Sequence, residues 1–270
     1  MKINEILTIP IRTKLAIFAA LMRTDLKIFK KDILGKITDS LIWGFVSLIP
    51  AVFIFPLMGI QVLGIIQVPS IIISVTAFEI YGLLFATLIE ILEKGHFYYL
   101  FTLPISARWI FTQKVLFYTI VNIILAFSMI PMCKIVLWND LNLALISWGK
   151  FFIAIFVASL FFACCWLFIA SLTKAIKNVQ HVWTRIIFPL WFLGGFQFTW
   201  YTVLKMSKII AYLSLFNPFT YVTEASRAAF FADQKFINFW LCILILFFGG
   251  IILAIFGYKN MKKRLELAGI

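Results

Sequence analysis

Apolar residues in this chain gather into six long runs, near positions 40–60, 70–92, 108–132, 148–173, 186–203 and 236–258. Between them lie shorter stretches where Lys, Arg, Asp, Glu, Gly and Pro concentrate. A bilayer core about 30 Å thick takes roughly 20 apolar residues of helix to cross. Lipid offers the backbone no hydrogen-bond partner, so helices rather than loops must carry these runs across. The pattern predicts an all-α polytopic membrane protein with six transmembrane helices and both ends on one side. Ahead of the first run, Leu15, Phe18, Ala19, Met22, Leu26, Phe29 and Ile33 recur at helical spacings, with Lys14, Arg23, Lys27, Lys30 and Lys31 on much of the remaining surface. That periodicity predicts an amphipathic helix over 12–36, lying in the membrane interface rather than crossing it. It serves either as a basic anchor on headgroups or also as a shelf for a cytoplasmic partner.

Composition agrees with this class: 63% of the 270 residues are hydrophobic, 13% are charged, and Phe occurs 31 times. The earliest apolar run is interrupted by Arg23, Asp25, Lys27, Lys30 and Lys31, so no cleavable signal pattern is expected and the N-terminus is retained. Placing it in the cytoplasm puts most Lys and Arg inside, leaving only Lys134, Lys150, Lys205, Lys208, Arg227 and Lys235 outside. That asymmetry predicts a multi-pass protein of the plasma (inner) membrane with both termini cytoplasmic. It also accounts for the net charge of +13 through membrane lipid, with no nucleic acid needed.

Little in the inventory suggests chemistry. Cys133, Cys164, Cys165 and Cys242 lack metal or disulfide spacing, and His96 and His181 fall on separate loops. Gly59 and Gly64 have the glycine spacing of a phosphate-binding loop but lack its Lys and hydroxyl. Neither an enzyme nor an ATP-binding chain is expected, and no cofactor is bound by this chain itself.

Four polar or aromatic groups remain to be placed. The inner loop EILEKGHFYYLFTLPISARWIFTQK, residues 90–114, has room for a couple of helical turns between Gly95 and Pro104. Phe97, Tyr98, Tyr99 and Phe101 would project from them, either into a groove on another protein or as an interfacial aromatic belt. Glu79 falls near mid-membrane, with Glu90 about three turns further along nearly the same side. The two either line a polar track, or Glu79 bonds a neighbouring helix. In the fifth run, Trp191, Phe192 and Phe196 flank Gly194 and Gly195, where helices approach or bend; these rings either line a translocation path or are ordinary packing in an aromatic-rich chain.

The stretch SLFNPFTYVTEASRAAFF, residues 214–231, belongs to the outer segment 204–235. Asn217 and Pro218 suit a turn between two short helices, and Glu224 and Arg227, three apart, share a helical face and can pair.

Three stretches, LMRTDLKIFKKDILGKITDSLIWG at 21–44, YYLFTLPISARWIFTQKV at 98–115 and NPFTYVTEASRAAF at 217–230, resemble those of an ABC-2 type permease, the membrane subunit of an ATP-binding-cassette exporter. The resemblance runs from about residue 15 to 258 and makes 1–270 a single transmembrane domain. It implies a half-transporter that pairs with a second permease copy, in a homodimer, and with two copies of a separate ATPase subunit carrying ATP and Mg. It also implies a coupling helix within 90–103, with Glu90, Glu93 and Lys94 as polar contacts. Before the sixth span it implies short re-entrant helices forming a gate of Asn217, Pro218, Tyr221, Glu224 and Arg227. The cargo would be an amphiphile, a lipid-linked saccharide or a drug. The alternatives are an ion-coupled secondary carrier acting without an ATPase, disfavoured by the lack of internal repeats, and a non-transporting assembly subunit.

Overall fold

The computed structural model describes residues 10–54, 57, 63–92, 100, 103–173, 177–231 and 235–267, and these are helical nearly throughout. The long helices are α1 (Ile11–Ile49), α2 (Leu63–Leu92), α3 (Ala107–Val136), α4 (Trp148–Leu172) and, at the C-terminal end, α10 (Phe239–Leu267). Between α4 and α10 come five short ones: α5 (Lys177–Val182), α6 (Phe188–Leu193), α7 (Trp200–Met206), α8 (Lys208–Ser214) and α9 (Pro218–Phe230). Among the described residues, four helical stretches are long and apolar enough to cross a membrane: Ile11–Ile54, Ala107–Val136, Trp148–Leu172 and Phe239–Lys263. A shorter apolar helix, Ile65–Glu79, lies within α2.

The centre of the bundle is α4, which packs against α2, α3, α9 and, most extensively, α10. Its close approach to α10 depends on glycine. A Cβ on Gly257 would stand 3.0 Å from the Phe168 Cα and 3.1 Å from its nitrogen, and one on Gly250 would stand 3.5 Å from the Phe161 Cα. Small residues at such crossings bring two backbones into dispersion contact where lipid supplies no hydrophobic drive.

The N-terminal helix differs from the expectation of an interface helix over 12–36 followed by a separate span over 40–60. It runs unbroken from Ile11 to Ile49 and leads into a π-turn at Pro50–Ile54. No proline occurs between Ile11 and Ile49, and Gly35 and Gly44 are each too weak a breaker to end the helix. The docking partner is α3, which runs parallel to it. Phe18 meets Trp109 edge-on at 5.8 Å between ring centres, and Phe29 meets Phe117 at 6.4 Å. Between these pairs, Lys114 Nζ lies 2.9 Å from the buried Asp25 carboxylate and Gln113 Nε2 donates to the same oxygen at 2.7 Å. The charged residues that interrupt the apolar pattern thus include one that binds the helix to its neighbour.

The fifth run also departs from a single span over 186–203. Helix begins earlier, at Lys177, passes a π-turn at Trp183–Ile187 and stops at Leu193. After a non-helical stretch over 194–199, α7 and α8 form a short pair, pinned where Trp200 Nε1 donates to the Ala211 carbonyl at 2.8 Å. α9 then runs antiparallel to α4: Phe219 packs on Phe162 at 4.9 Å, Phe230 on Phe151 at 4.6 Å, and Ser147 N donates to the Ala229 carbonyl at 2.9 Å. At 1.5 Å per residue, α9 therefore starts level with a point about 22 Å along α4 and ends level with its first turn.

Candidate functional site

The break at 194–199 exposes backbone carbonyls and N–H groups that a continuous helix would have used, deep in an apolar molecule. An unpaired polar group there costs roughly 2–7 kcal/mol. Gly195 makes the turn possible, with φ +81°, a left-handed conformation that β-carbon-bearing residues resist. Two side chains from α9 then satisfy the opened backbone.

Arg227 is fully buried, and each of its five guanidinium hydrogens has an acceptor. Its Nη2 donates to the carbonyls of Gly195 at 2.5 Å and Phe196 at 3.2 Å, and its Nη1 to that of Phe198 at 2.7 Å. Nε reaches across to the Ile66 carbonyl in α2 at 3.2 Å, and Nη1 also meets Glu224 Oε1 at 3.4 Å. Glu224, buried to 1%, serves the complementary groups. Its Oε1 accepts from Trp200 N, the first turn of α7, at 2.9 Å, and its Oε2 accepts from Ile237 N, just before α10, at 3.1 Å. The cation takes the orphaned carbonyls and the anion takes the orphaned N–H groups. Each neutralises the other, so neither charge is left alone in low dielectric.

The rest of the 214–231 stretch is built the same way. Asn217 caps α9, its Oδ1 accepting from Phe219 N at 3.0 Å, and its Nδ2 donates to the Leu190 carbonyl in α6 at 2.6 Å. Pro218 occupies the first position of α9, where its missing N–H is not needed. Tyr221 donates from its hydroxyl to the Leu215 carbonyl at 2.6 Å, and Thr223 from its own to Gly194 at 2.9 Å. Asn217, Pro218, Tyr221, Glu224 and Arg227 therefore form one assembly that fastens α9 to the end of α6, to α8 and to α2.

A second polar site lies between α1 and α2. Glu79 Oε2 is 3.3 Å from Lys36 Nζ, and Ser40 Oγ is 3.5 Å from Oε1. Glu79, Ser40, Asp39, Trp43, Val75 and Phe78 line a cavity of about 160 Å³. Beside it stands an aromatic cluster: Trp43 contacts Phe78 at 5.0 Å and Trp191 at 6.0 Å, and Trp191 contacts Phe196 at 4.3 Å. Trp191 Nε1 donates to Ser74 Oγ at 2.8 Å. Trp191 and Phe196 are buried within this cluster, and Phe192, 43% exposed, meets the Trp191 ring edge-on at 6.2 Å.

Of the candidate coupling residues, Glu90 lies near the end of α2. Glu93, Lys94, Phe97, Tyr98, Tyr99 and Phe101 fall outside the described residues. Lys36, Ser40 and Trp43 belong to these sites; they lie in the 21–44 stretch, where no spacing within α1 singled them out. Asp25 and Lys114 were visible only as charges flanking apolar runs; their pairing depends on α1 and α3 running side by side.

The family model described as ABC-2 type transporter matches residues 16–231, a span that begins early in α1, ends just after α9 and contains both polar sites. No curated protein and no solved structure matches the chain.

Proposed function

Because the chain belongs to the ABC-2 type transporter family, we propose that it is the permease subunit of an ATP-binding-cassette exporter, forming the translocation path and coupling it to a separate ATPase. Members of this family are non-catalytic membrane components, and the chain is not an enzyme. The observation that carries the proposal is the family match across most of the sequence. The chain sits in the inner membrane with both termini in the cytoplasm, an orientation supported by its Lys and Arg distribution. It works as a dimer of identical chains with two ATPase copies that bind ATP and Mg. The cargo class is an amphiphile, a lipid-linked saccharide or a drug.

Two parts of the molecule act as levers. Closure of the ATPases pushes on 90–103, where Glu90, Glu93, Lys94, Phe97, Tyr98, Tyr99 and Phe101 make the contact, and on the first half of α1. The Asp25–Lys114 pair supports the second lever, since it ties α1 to α3. The displacement splays α1, α2 and the α5–α6 segment, and Glu79, Trp191, Phe192 and Phe196 border the path that opens. Residues 204–235 form the outer gate. The antiparallel packing of α9 on α4 supports reading α8 and α9 as re-entrant, and the exposed apolar residues of α8, Ile209, Tyr212 and Leu213 among them, suit a lipid or partner contact at that depth.

Replacing Tyr98 and Phe101 with Glu tests the coupling. The variant is expected to insert normally and to lose its ATPase partner on affinity capture. Capture of the ATPase at wild-type yield, with substrate-stimulated hydrolysis intact, would sink this assignment.

A further inference from the structure

An ion pair between helices either fastens them or keeps a place that another ion takes. Two ion pairs join α1 to its neighbours among the described residues, and they are built differently. Asp25 and Lys114 stand 2.9 Å apart, with side chains 11% and 10% exposed, and Gln113 gives the same carboxylate a second donor at 2.7 Å. Lys36 and Glu79 stand 3.3 Å apart and keep 22% and 17% of their side-chain surface, and the second donor to Glu79, Ser40 Oγ, is at 3.5 Å. This looser pair borders open space, the cavity of about 160 Å³ between α1 and α2. Helix α1 gives that cavity Asp39, Ser40 and Trp43, and α2 gives it Val75, Phe78 and Glu79. Two carboxylates and two aromatic rings therefore border one volume.

We infer that this cavity receives the ammonium head of a cationic amphiphile, and that Lys36 is the internal occupant such a head displaces. Three observations select that ligand. The first is Lys36 itself, because its ammonium, seated on Glu79, shows which charge and chemistry the carboxylate takes. A lysine head is strongly hydrated and rides on a flexible stem, so it withdraws to water when a better-fitting cation arrives. The second is the pairing of carboxylates with Trp43 and Phe78, since aromatic faces attract cations through their quadrupole and are the usual receptors for quaternary ammonium groups. The third is size: at about 30 Å³ per water the cavity has room for roughly five water-sized groups, and a tetramethylammonium ion is a nitrogen bearing four methyl groups. Asp39, exposed at the rim, draws the head in, and Trp43 continues into the aromatic wall of Trp191 at 6.0 Å, an apolar surface for the tail. At 1.5 Å per residue, Glu79 stands about 20 Å along α2 from Ile66, whose carbonyl Arg227 holds. A head bound here lies on the cytoplasmic side of the outer gate proposed above. Taken with the exporter reading, on which this last step rests, the site narrows the cargo to cationic amphiphiles.

The test is a titration of the full chain, with whatever subunits co-extract, by tetramethylammonium chloride in neutral maltoside detergent, read by line broadening of the ligand's own NMR signal. K36M removes the internal occupant and keeps an apolar stem, and is expected to bind the probe more tightly than wild type by roughly tenfold or more. A gain of affinity cannot come from a misfolded chain. Adding E79Q to K36M takes away the charge at nearly constant shape and should abolish the gain, and adding W43L to K36M should weaken binding severalfold. K36M that binds no more tightly than wild type would overturn the inference; weaker binding would make Lys36 part of the receiving site, the sign expected of an anionic ligand. A K36M/E79Q variant that keeps the gain would also overturn it, and so would a K36M/W43L variant that binds like K36M. The cargo step is read separately: dodecyltrimethylammonium should raise ATP hydrolysis by the complex with wild type and not with E79Q, and hydrolysis that ignores it would remove the cargo assignment. Because the titration needs neither ATP nor transport, its failure leaves the exporter reading untouched, and a chain recovered without an ATPase would leave the ammonium site standing.

Discussion

Replacing Arg227 with Met should unfasten the 194–199 break, and its magnitude follows from the hydrogen bonds. Met is comparable in length and apolar, so the loss is mainly polar. Four carbonyls, of Gly195, Phe196, Phe198 and Ile66, lose their donor, and Glu224 loses its countercharge. Hydrogen bonds measured inside membrane proteins average about 0.6 kcal/mol, so five of them give a floor of about 3 kcal/mol. Breaking a buried ion pair from one side costs about 3–5 kcal/mol in water-soluble proteins. The two routes converge on a loss of about 3–5 kcal/mol. Arg227→Lys should recover little of it, because an ammonium has three rotatable donors where the site uses five in a planar fork. The double variant Glu224→Gln with Arg227→Met should be less damaging than the two single losses combined, since it leaves no buried charge. The assay is reversible unfolding of purified chain in mixed micelles, with protease cleavage in 194–199 as a local readout. If Arg227→Met unfolds within 1 kcal/mol of wild type, or if Lys serves as well as Arg, the fastening role is wrong.

Other expectations follow from the same contacts. Gly195→Ala should cost about 1–2 kcal/mol, because the residue has φ +81° and an added Cβ would stand 3.1 Å from the Phe198 carbonyl oxygen; a thermal shift assay reads this, and an unchanged midpoint would contradict it. Glu79→Gln keeps an acceptor for Lys36 and Ser40 in a site that is partly exposed, so its effect on stability should stay below about 1 kcal/mol. Loss of transport in that stable variant would assign Glu79 to the path, and unchanged transport would make it structural. Asn217→Ala removes the cap of α9 and the bond to Leu190, and should lower stability by about 1–2 kcal/mol in the same unfolding assay; a loss below a few tenths would mean that the turn holds without it.

Much of the bundle could be read from the chain, because burial in lipid forces long apolar runs into helices whatever their neighbours. The turn at Asn217–Pro218 and the three-residue spacing of Glu224 and Arg227 were equally local, so they too were visible. The partners of that pair were not. Four of Arg227's acceptors are backbone carbonyls of Gly195, Phe196, Phe198 and Ile66, which carry no side-chain signature and lie far away in sequence. The break that creates three of those acceptors lies in an apolar run where Gly194 and Gly195 marked an approach or a bend, but nothing local showed which groups would close it. The continuity of α1 escaped for the converse reason: charges at Asp25 and Lys36 interrupt the pattern, but their partners, Lys114 and Glu79, come from other helices.

The transport role proposed for this chain depends on its coupling to a separate ATPase. The measurement that tests it most directly is gentle extraction of the tagged protein followed by native mass and identification of its companions. Two copies of the 31.1 kDa chain should be recovered with two ATPase subunits that carry phosphate-binding loops. Recovery of the chain without any ATPase, under conditions that keep its own dimer intact, would refute the coupling and turn attention to a carrier centred on Glu79.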